Sequence, residues 1–471
     1  MTKKLGLLDS TTIIAGSMIG SGIFLVSADI ARDVNNSPGL LLMAWIMTAV
    51  ITVLGALSYG ELSAMMPKAG GQYIYLKEAF GPLWGFLYGW ALFAVIQTGT
   101  IAAVAVAFAK FTGVFLPSIS PQNIVINLMG LEINTQQLLA VAVVIGLTVY
   151  NFGELRSSAM LQNIFTISKI LALLLLIILG LWFGFNGMGD WSHFKPAFPE
   201  SINWATIGIF GAAMTGALFS ADAWNNITYT AGEVDRPQRN LPLSLFLGTS
   251  SVLLLYILAN IAYVFILPVD QIQHAENGRV ATLMMQTILG ENGKYFMAAM
   301  IMVSTFGCLN GIIFTAGRVY HTMARDGYFF KKAAVLNKNG VPANALVMQG
   351  IWASLLCFSG TYGKLLDYIM FVVMIFYALT IIGLFKLRIT KPDMERPYKA
   401  FGYPVLPAIY IILAIWVSSV MFIHKSDNCI YGLAIVCIGI PIYLLLKRNL
   451  PIAGDFPELV FMAYSLLKLM T

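Results

Sequence analysis

The sequence predicts an all-α polytopic membrane protein of twelve transmembrane helices, two of them broken at mid-depth. Three observations predict it. Of 471 residues, 58% are hydrophobic and 11% are charged, with a mean hydropathy of +0.79, whereas soluble domains carry about 25% charged residues. The apolar residues gather into twelve segments close to the roughly 20 residues that span a bilayer. Two of these segments, the first and the sixth, are interrupted by glycine and polar residues. A transmembrane barrel is excluded, because its strands alternate over about ten residues and these segments are continuously apolar.

The segments cover roughly 8–33, 39–65, 82–115, 135–152, 158–185, 202–231, 241–267, 295–322, 343–360, 365–387, 404–424 and 428–446. Lys3 and Lys4 before the first run mimic a signal peptide, but Asp9 and the length of the run predict a retained helix. The loop Pro67–Tyr75 is apolar for a loop and either lies at the interface or dips back into the membrane. The loop from Ala324 to Pro342 is basic and holds short amphipathic helices or none. The tail Phe456–Leu469 is apolar enough for a helix lying in the interface.

Lys and Arg set the orientation. With the N-terminus inside, nineteen of them fall on inside loops and seven on outside loops, so both termini are predicted to be cytoplasmic. The net charge of +6 reports those loops and gives no reason to expect nucleic acid. The four cysteines (Cys308, Cys357, Cys429, Cys437) and four histidines are scattered, with no metal-ligand spacing. No metal or cofactor is expected.

The first interruption reads Gly16-Ser17-Met18-Ile19-Gly20-Ser21-Gly22-Ile23-Phe24. Glycine costs about 1 kcal/mol relative to alanine inside a helix, so this run is a poor helix interior. Small residues also suit a tight helix–helix contact. The sixth segment favours the broken-helix reading. It carries Gly208, Gly211 and Gly216, then Phe219-Ser220-Ala221-Asp222-Ala223-Trp224-Asn225-Asn226. Interruptions five spans apart are the spacing of two five-helix inverted repeats, with the ligand site at their interface. The repeats are assigned to 1–200 and 201–390, two added helices to 391–448, and the tail to 449–471.

The chemistry follows from the freed backbone. The N–H groups of Ser21, Gly22 and Ile23 begin a helix and attract a carboxylate. Carbonyls near Met18, Ile19, Phe219 and Ser220 can accept from an ammonium. A ligand bearing both groups a few ångströms apart is an α-amino acid. Phe219 is a candidate gate over it, against ordinary core packing. Asp222 sits at the break, where a membrane charge costs about 2.5–3.5 kcal/mol. It either attracts an ammonium, exchanges a proton, or caps free N–H groups. Lys169 lies among apolar residues in segment five and could brace segment one against segment eight in place of a sodium ion. Glu61 and Glu233 lie near cytoplasmic ends as structural or gating groups. Gln97 and Asn225 are candidates to line a side-chain pocket.

Several motifs carry a family resemblance. The first-segment run above resembles the amino acid–polyamine–organocation superfamily. Tyr59-Gly60-Glu61-Leu62, Pro67–Tyr73, Asp222-Ala223-Trp224-Asn225, Glu233–Pro242 and Leu309-Asn310-Gly311 with Arg318 resemble its L-type amino acid transporter branch. The resemblance runs from about residue 6 to 400 and implies a LeuT-like fold with sodium-independent amino acid exchange. By family pattern the carboxylate meets Ser21 and Gly22. The amine meets carbonyls near Met18, Phe219 and the Asp222 position. Phe219 gates, and Lys169 replaces a sodium ion. The chain departs from the pattern at Asp222, where glycine is common, and at Ala223, where glycine is usual. The loop Pro117–Asn134 lacks the cysteine that links animal members to a heavy chain, so the expectation is a stand-alone, monomeric bacterial member in the plasma membrane. Its expected partners are amino acid substrates and lipid. Small residues near the site suggest a small to medium neutral substrate, while Asp222 keeps cationic substrates and proton coupling open. An enzyme is disfavoured by the lack of an intramembrane histidine, and a channel by the paired breaks. An amino acid receptor on the same fold remains a remote alternative.

Overall fold

The computed structural model describes residues 5–448 except 69, 129–130, 154, 202 and 359–361. The interfacial tail helix expected at Phe456–Leu469 lies outside the described residues. The first apolar segment forms α1 (Leu7–Met18) and α2 (Gly22–Asp33), bent by 44° at the break. Ser37 caps α3 (Pro38–Met65) by accepting from the Leu40 N–H, with proline in the first turn where its missing donor is harmless. After it comes α4 (Gln72–Phe80). Where the sequence predicts an apolar loop at the interface or dipping back, the chain from Gln72 forms a short helix whose Gln72, Tyr73, Tyr75 and Leu76 are buried.

Next, α5 (Pro82–Ala91) passes through a π-helical turn at Leu92–Ile96 into α6 (Gln97–Phe115). A hairpin follows, β1 (Ile124–Leu128) against β2 (Leu131–Asn134), which the sequence reading did not foresee. Beyond it lie α7 (Thr135–Tyr150) and α8 (Leu155–Phe183). The sixth segment divides into α9 (Trp204–Ser220) and a 3-10 stretch at Trp224–Glu233. The remaining helices are α10 (Pro237–Ile266), the short α11 (Val269–Gln273), α12 (Val280–Arg325), α13 (Ala343–Leu356), α14 (Tyr362–Thr390), α15 (Val405–His424) and α16 (Ser426–Arg448). The eighth segment thus starts earlier than expected. The polar run around Glu291 reads as a loop in sequence, yet the chain stays helical on both sides of a non-helical Gly290 at φ 67°. The basic loop after α12 contains a 3-10 turn at Lys331–Ala334.

Among the described residues, nine helices are long and apolar enough to cross a membrane, ten if the bent α1–α2 pair is one span. Two shorter apolar helices, α7 and α13, occupy the places of the fourth and ninth expected segments. The protein is therefore a multi-pass helical membrane protein. At its centre α10 packs on α1 and α3, α12 on α6 and α8, and α2 on α9.

Contacts between helix ends define two faces. On the face where α1 begins, Leu5 N–H donates to Glu233 O and Leu5 O accepts from Asp235 N–H, both at 2.8 Å. Asp326, just after α12, takes Tyr73 Oη at 2.8 Å and Lys77 Nζ at 2.7 Å from α4. Glu61, at 0% exposure, is the hub of this face. Arg388 Nε and Nη2 of α14 donate to its two oxygens at 2.9 and 2.6 Å, and Ala400 N–H donates at 2.6 Å. Arg396 Nε lies 3.4 Å away, and the Arg388 guanidinium stacks 3.6 Å from the Tyr403 ring centroid. On the opposite face Ser37 Oγ bonds Ala197 O at 2.8 Å, and Lys425 reaches Asp367 at 2.9 Å.

Removing one partner from a buried ion pair strands the other, at a cost of about 3–5 kcal/mol. Glu61→Gln is therefore expected to lower the thermal midpoint of the purified protein markedly, measured by tryptophan fluorescence. An unchanged midpoint would show that this hub does not hold the face together.

Candidate functional site

The two chain breaks meet at the centre of the molecule. In the first, Ile19 turns out of the helix at φ −73°, ψ 91°, while its N–H still bonds Ala15 O at 3.0 Å. Ser21 then starts α2. In the second, α9 ends at Ser220 and Ala223 sits in the left-handed region at φ 65°, ψ 6°. A non-glycine residue there costs roughly 1–2 kcal/mol. The breaks touch, since a Cβ on Gly22 would overlap Ser220 Oγ and Cβ. This close approach is the reason for glycine at that position.

Backbone groups at a break inside a membrane need partners. Here α10 supplies several. Tyr256 Oη lies 2.8 Å from Met18 O and 3.2 Å from Ser220 O, so one hydroxyl joins the two breaks. Asn260 Oδ1 accepts from Ser27 Oγ at 2.6 Å, and Tyr263 Oη donates to Ile23 O at 3.3 Å. Tyr256, Asn260 and Tyr263 are spaced i, i+4, i+7, one face of a helix. From α8, the fully buried Lys169 Nζ donates to Gly16 O. From α12, Cys308 Sγ approaches Ser17 O at 3.9 Å.

These contacts refine the sequence reading. The Met18 and Ser220 carbonyls are not free, because they share the single hydroxyl proton of Tyr256. Lys169 bonds segment one and lies within electrostatic reach of Cys308 of segment eight, whose Sγ itself approaches Ser17 O. The Phe219 carbonyl accepts from Asp222 N–H at 3.1 Å. The N–H groups of Gly22 and Ile23, in the first turn of α2, have no acceptor within their own helix. Tyr362 of α14 covers this helix start, its Oη 3.1 Å from Ser21 Oγ. The Phe219 ring meets Tyr362 edge-on, with centroids 6.2 Å apart.

On the other side of the second break, Asp222 Oδ1 accepts from Tyr377 Oη at 2.5 Å. Asp222 and Asn225 line a small cavity with Gln72, Gln97, Tyr229 and Tyr377. The cavity offers about 20 Å³, room for roughly a single water molecule, so the side chains have closed on one another. Asn225 Nδ2 donates to Gln72 Oε1 at 3.2 Å, Gln72 Nε2 to Thr380 Oγ1 at 3.0 Å, and Gln97 Nε2 to Ile312 O at 3.3 Å. The π-helical turn in segment three puts Leu92, Ile96 and Gln97 on the same wall, and such turns recur at functional sites. Below the cavity Trp224 packs against Tyr59 and Tyr377, with centroids 4.8 and 5.3 Å away. Glu233 is far from this cluster. It is half exposed on the face where α1 begins and pairs with Arg318 at 3.3 Å.

The structure thus brings together Met18, Ile19, Ser21, Gly22, Ile23, Phe219, Ser220 and Lys169 at the two breaks, and Gln97, Asp222 and Asn225 around the cavity. Sequence reasoning missed Tyr256, Tyr362, Tyr377 and Gln72. The polar stripe Tyr256-Asn260-Tyr263 in an apolar segment was the available signal for the first. Among the described residues there is no group of three or more His, Cys, Asp or Glu that could hold a metal ion.

Residues 5–442 match the family model described as amino acid permease. The chain is 30% identical over 448 residues to the b(0,+)-type amino acid transporter 1 of Mus musculus, covering 94% of this chain and 88% of that protein. It is 33% identical over 450 residues to the large neutral amino acids transporter small subunit 2 of Mus musculus, covering 94% and 81%. The Homo sapiens protein of the same name is also 33% identical over 450 residues, covering 94% and 80%.

Tyr256→Phe deletes the one donor that the buried carbonyls of both breaks share, at about 1–3 kcal/mol. The expected result is a protein that folds but has a lower thermal midpoint and weakened ligand binding. Equal stability and binding in this variant would remove Tyr256 from the site.

Proposed function

The chain belongs to the amino acid permease family, and from that premise we propose that it is a sodium-independent secondary transporter of L-amino acids. It works in the plasma membrane, exchanging small to medium neutral amino acids by alternating access. The observation that carries this reading is the pair of touching breaks tied through Tyr256. The start of α2 offers the N–H groups of Ser21, Gly22 and Ile23 to a carboxylate. The carbonyl of Ile19, and the second lone pairs of Met18, Phe219 and Ser220, receive the ammonium. The whole substrate therefore meets backbone through its α-groups, which suits a carrier of several amino acids.

Each other part has a role in this scheme. Lys169 fixes the Gly16 carbonyl with its own ammonium, a position where sodium-coupled members of the fold hold a sodium ion, so no sodium is required. Phe219 and Tyr362 gate the site on one side. The closed cavity beside Asp222 opens to admit the substrate side chain, with Gln97 and Asn225 on its wall. Twelve helices form the frame, in inverted repeats at 1–200 and 201–390 with added helices at 391–448. Both termini are cytoplasmic, and Glu233 with Arg318 latches the inner face. The transporter acts as a monomer without a disulfide-linked heavy chain. A second reading rests on Asp222, whose carboxylate at the cavity suits a cationic side chain or polyamine, or a transported proton.

Proteoliposomes in sodium-free buffer test this. Labelled neutral amino acid is expected to enter vesicles preloaded with amino acid and to stay out of empty ones. Uptake into empty vesicles driven by a proton gradient and lost in Asp222→Asn would establish the second reading. A strict sodium requirement, or binding without flux, would overturn the proposal. Within the same assay Lys169→Met is expected to lower the exchange rate by about tenfold or more, as for a lost charged hydrogen bond.

A further inference from the structure

Beyond the two breaks, toward the face opposite the start of α1, lies a group of five charged residues. Arg32 of α2 pairs with Asp29 and also donates to Gln273 O at 2.5 Å. Arg279 pairs with Glu276 at 2.8 Å and donates to Lys110 O at 3.3 Å. These two cations and two carboxylates satisfy each other. Lys110, near the end of α6, shares in this only at a distance: the Asp29 carboxylate acts on its ammonium without pairing with it directly. Among the described residues no carboxylate lies within ion-pair distance of its ammonium. Its polar contact is a long one, 3.5 Å to Asn277 O. Its Nζ otherwise lies over the face of Tyr362, 5.3 Å from the ring centroid, within the range of a cation–π contact.

That ring covers the start of α2, with its hydroxyl on Ser21. A single side chain therefore separates an ammonium that makes no direct ion pair from the N–H groups that await a carboxylate. Charge in a membrane segment is costly without a counter-charge, and an arriving carboxylate supplies one. We propose that Lys110 is a specificity-determining residue that takes the substrate carboxylate at the outer mouth, before the carboxylate passes to the start of α2. Binding there draws the ammonium off Tyr362 and releases the ring that closes the site. The same ammonium repels substrates that carry net positive charge, so it selects zwitterions at entry. This inference rests on the amino acid transport reading and assigns the Lys110 face to the outside.

The test compares Lys110→Met and Lys110→Arg for a labelled neutral amino acid from the two sides of the membrane. Intact cells read the Lys110 mouth, and inside-out vesicles read the other face. For Lys110→Met the half-saturating concentration is expected to rise about tenfold or more from outside, the worth of a hydrogen bond to a charged group. The maximal rate and the values from inside should hold, and Lys110→Arg should regain most of the loss. An unchanged outer value would overturn the inference. So would an equal loss from both sides, or an arginine variant as impaired as methionine, because a structural role gives those patterns. Wild-type protein without flux from either side would instead defeat the transport reading itself.

Discussion

The structure depends on one constraint. A helix broken inside a membrane exposes backbone groups that lipid cannot satisfy, and this chain breaks two helices at the same place. The Tyr256 hydroxyl answers for one carbonyl of each break. Lys169 answers for a third, two residues earlier in α1. Both come from helices that are themselves unbroken and packed on α1. The breaks are thus held by rigid neighbours, while the N–H groups at the start of α2 are left for something else. On the transport reading proposed above, such a site recognises the charged ends of a ligand by main chain, which leaves side chains elsewhere to select its body.

The surroundings divide into parts that hold and parts that can yield. The Glu61 hub is dry and has donors from α14 and from the loop beyond it. Such a pair is costly to open. The Glu233–Arg318 pair is longer and half exposed, worth roughly 0–1 kcal/mol as surface pairs go. Leu5 is bonded by main chain to Glu233 and Asp235, so the start of α1 and the end of the 3-10 stretch form one unit. If the halves of the broken helices on this face move, they move together. Of the two contacts on this face, the pair is the easier to open and the hub the harder. On the opposite side, Tyr362 and Phe219 close over α2 through ring contacts that a small rotation can undo.

Much of this was legible in the sequence. Apolar runs marked the membrane segments, and the density of glycine and serine around Gly20 marked the first break. The matching interruption around Asp222 marked the second. What escaped notice depended on which helix lies beside which. A tyrosine in an apolar span reads as a packing residue until its neighbour is known, so Tyr256 was invisible as a clamp. Glu61 could be placed near a helix end, but Arg388 lies more than three hundred residues away along the chain. The stretch after Pro67 read as an apolar loop at the interface or dipping back into the membrane. Within it, Tyr73, Tyr75 and Leu76 are buried in a short helix. Residues 268–294 fall between two expected segments, whereas the chain is helical on both sides of a non-helical Gly290.

The central claim is that the paired breaks bind an α-amino acid by both its charged ends, with Lys169 standing where a sodium ion would. Calorimetric titration of the purified protein in sodium-free buffer tests it most directly. The ligands compared would be a neutral amino acid, its amide, and the amine that lacks the carboxylate. The account predicts saturable binding of the amino acid alone, unchanged when sodium is added. Binding of the amide or the amine as tight as that of the amino acid, or binding that appears only with sodium, would contradict it.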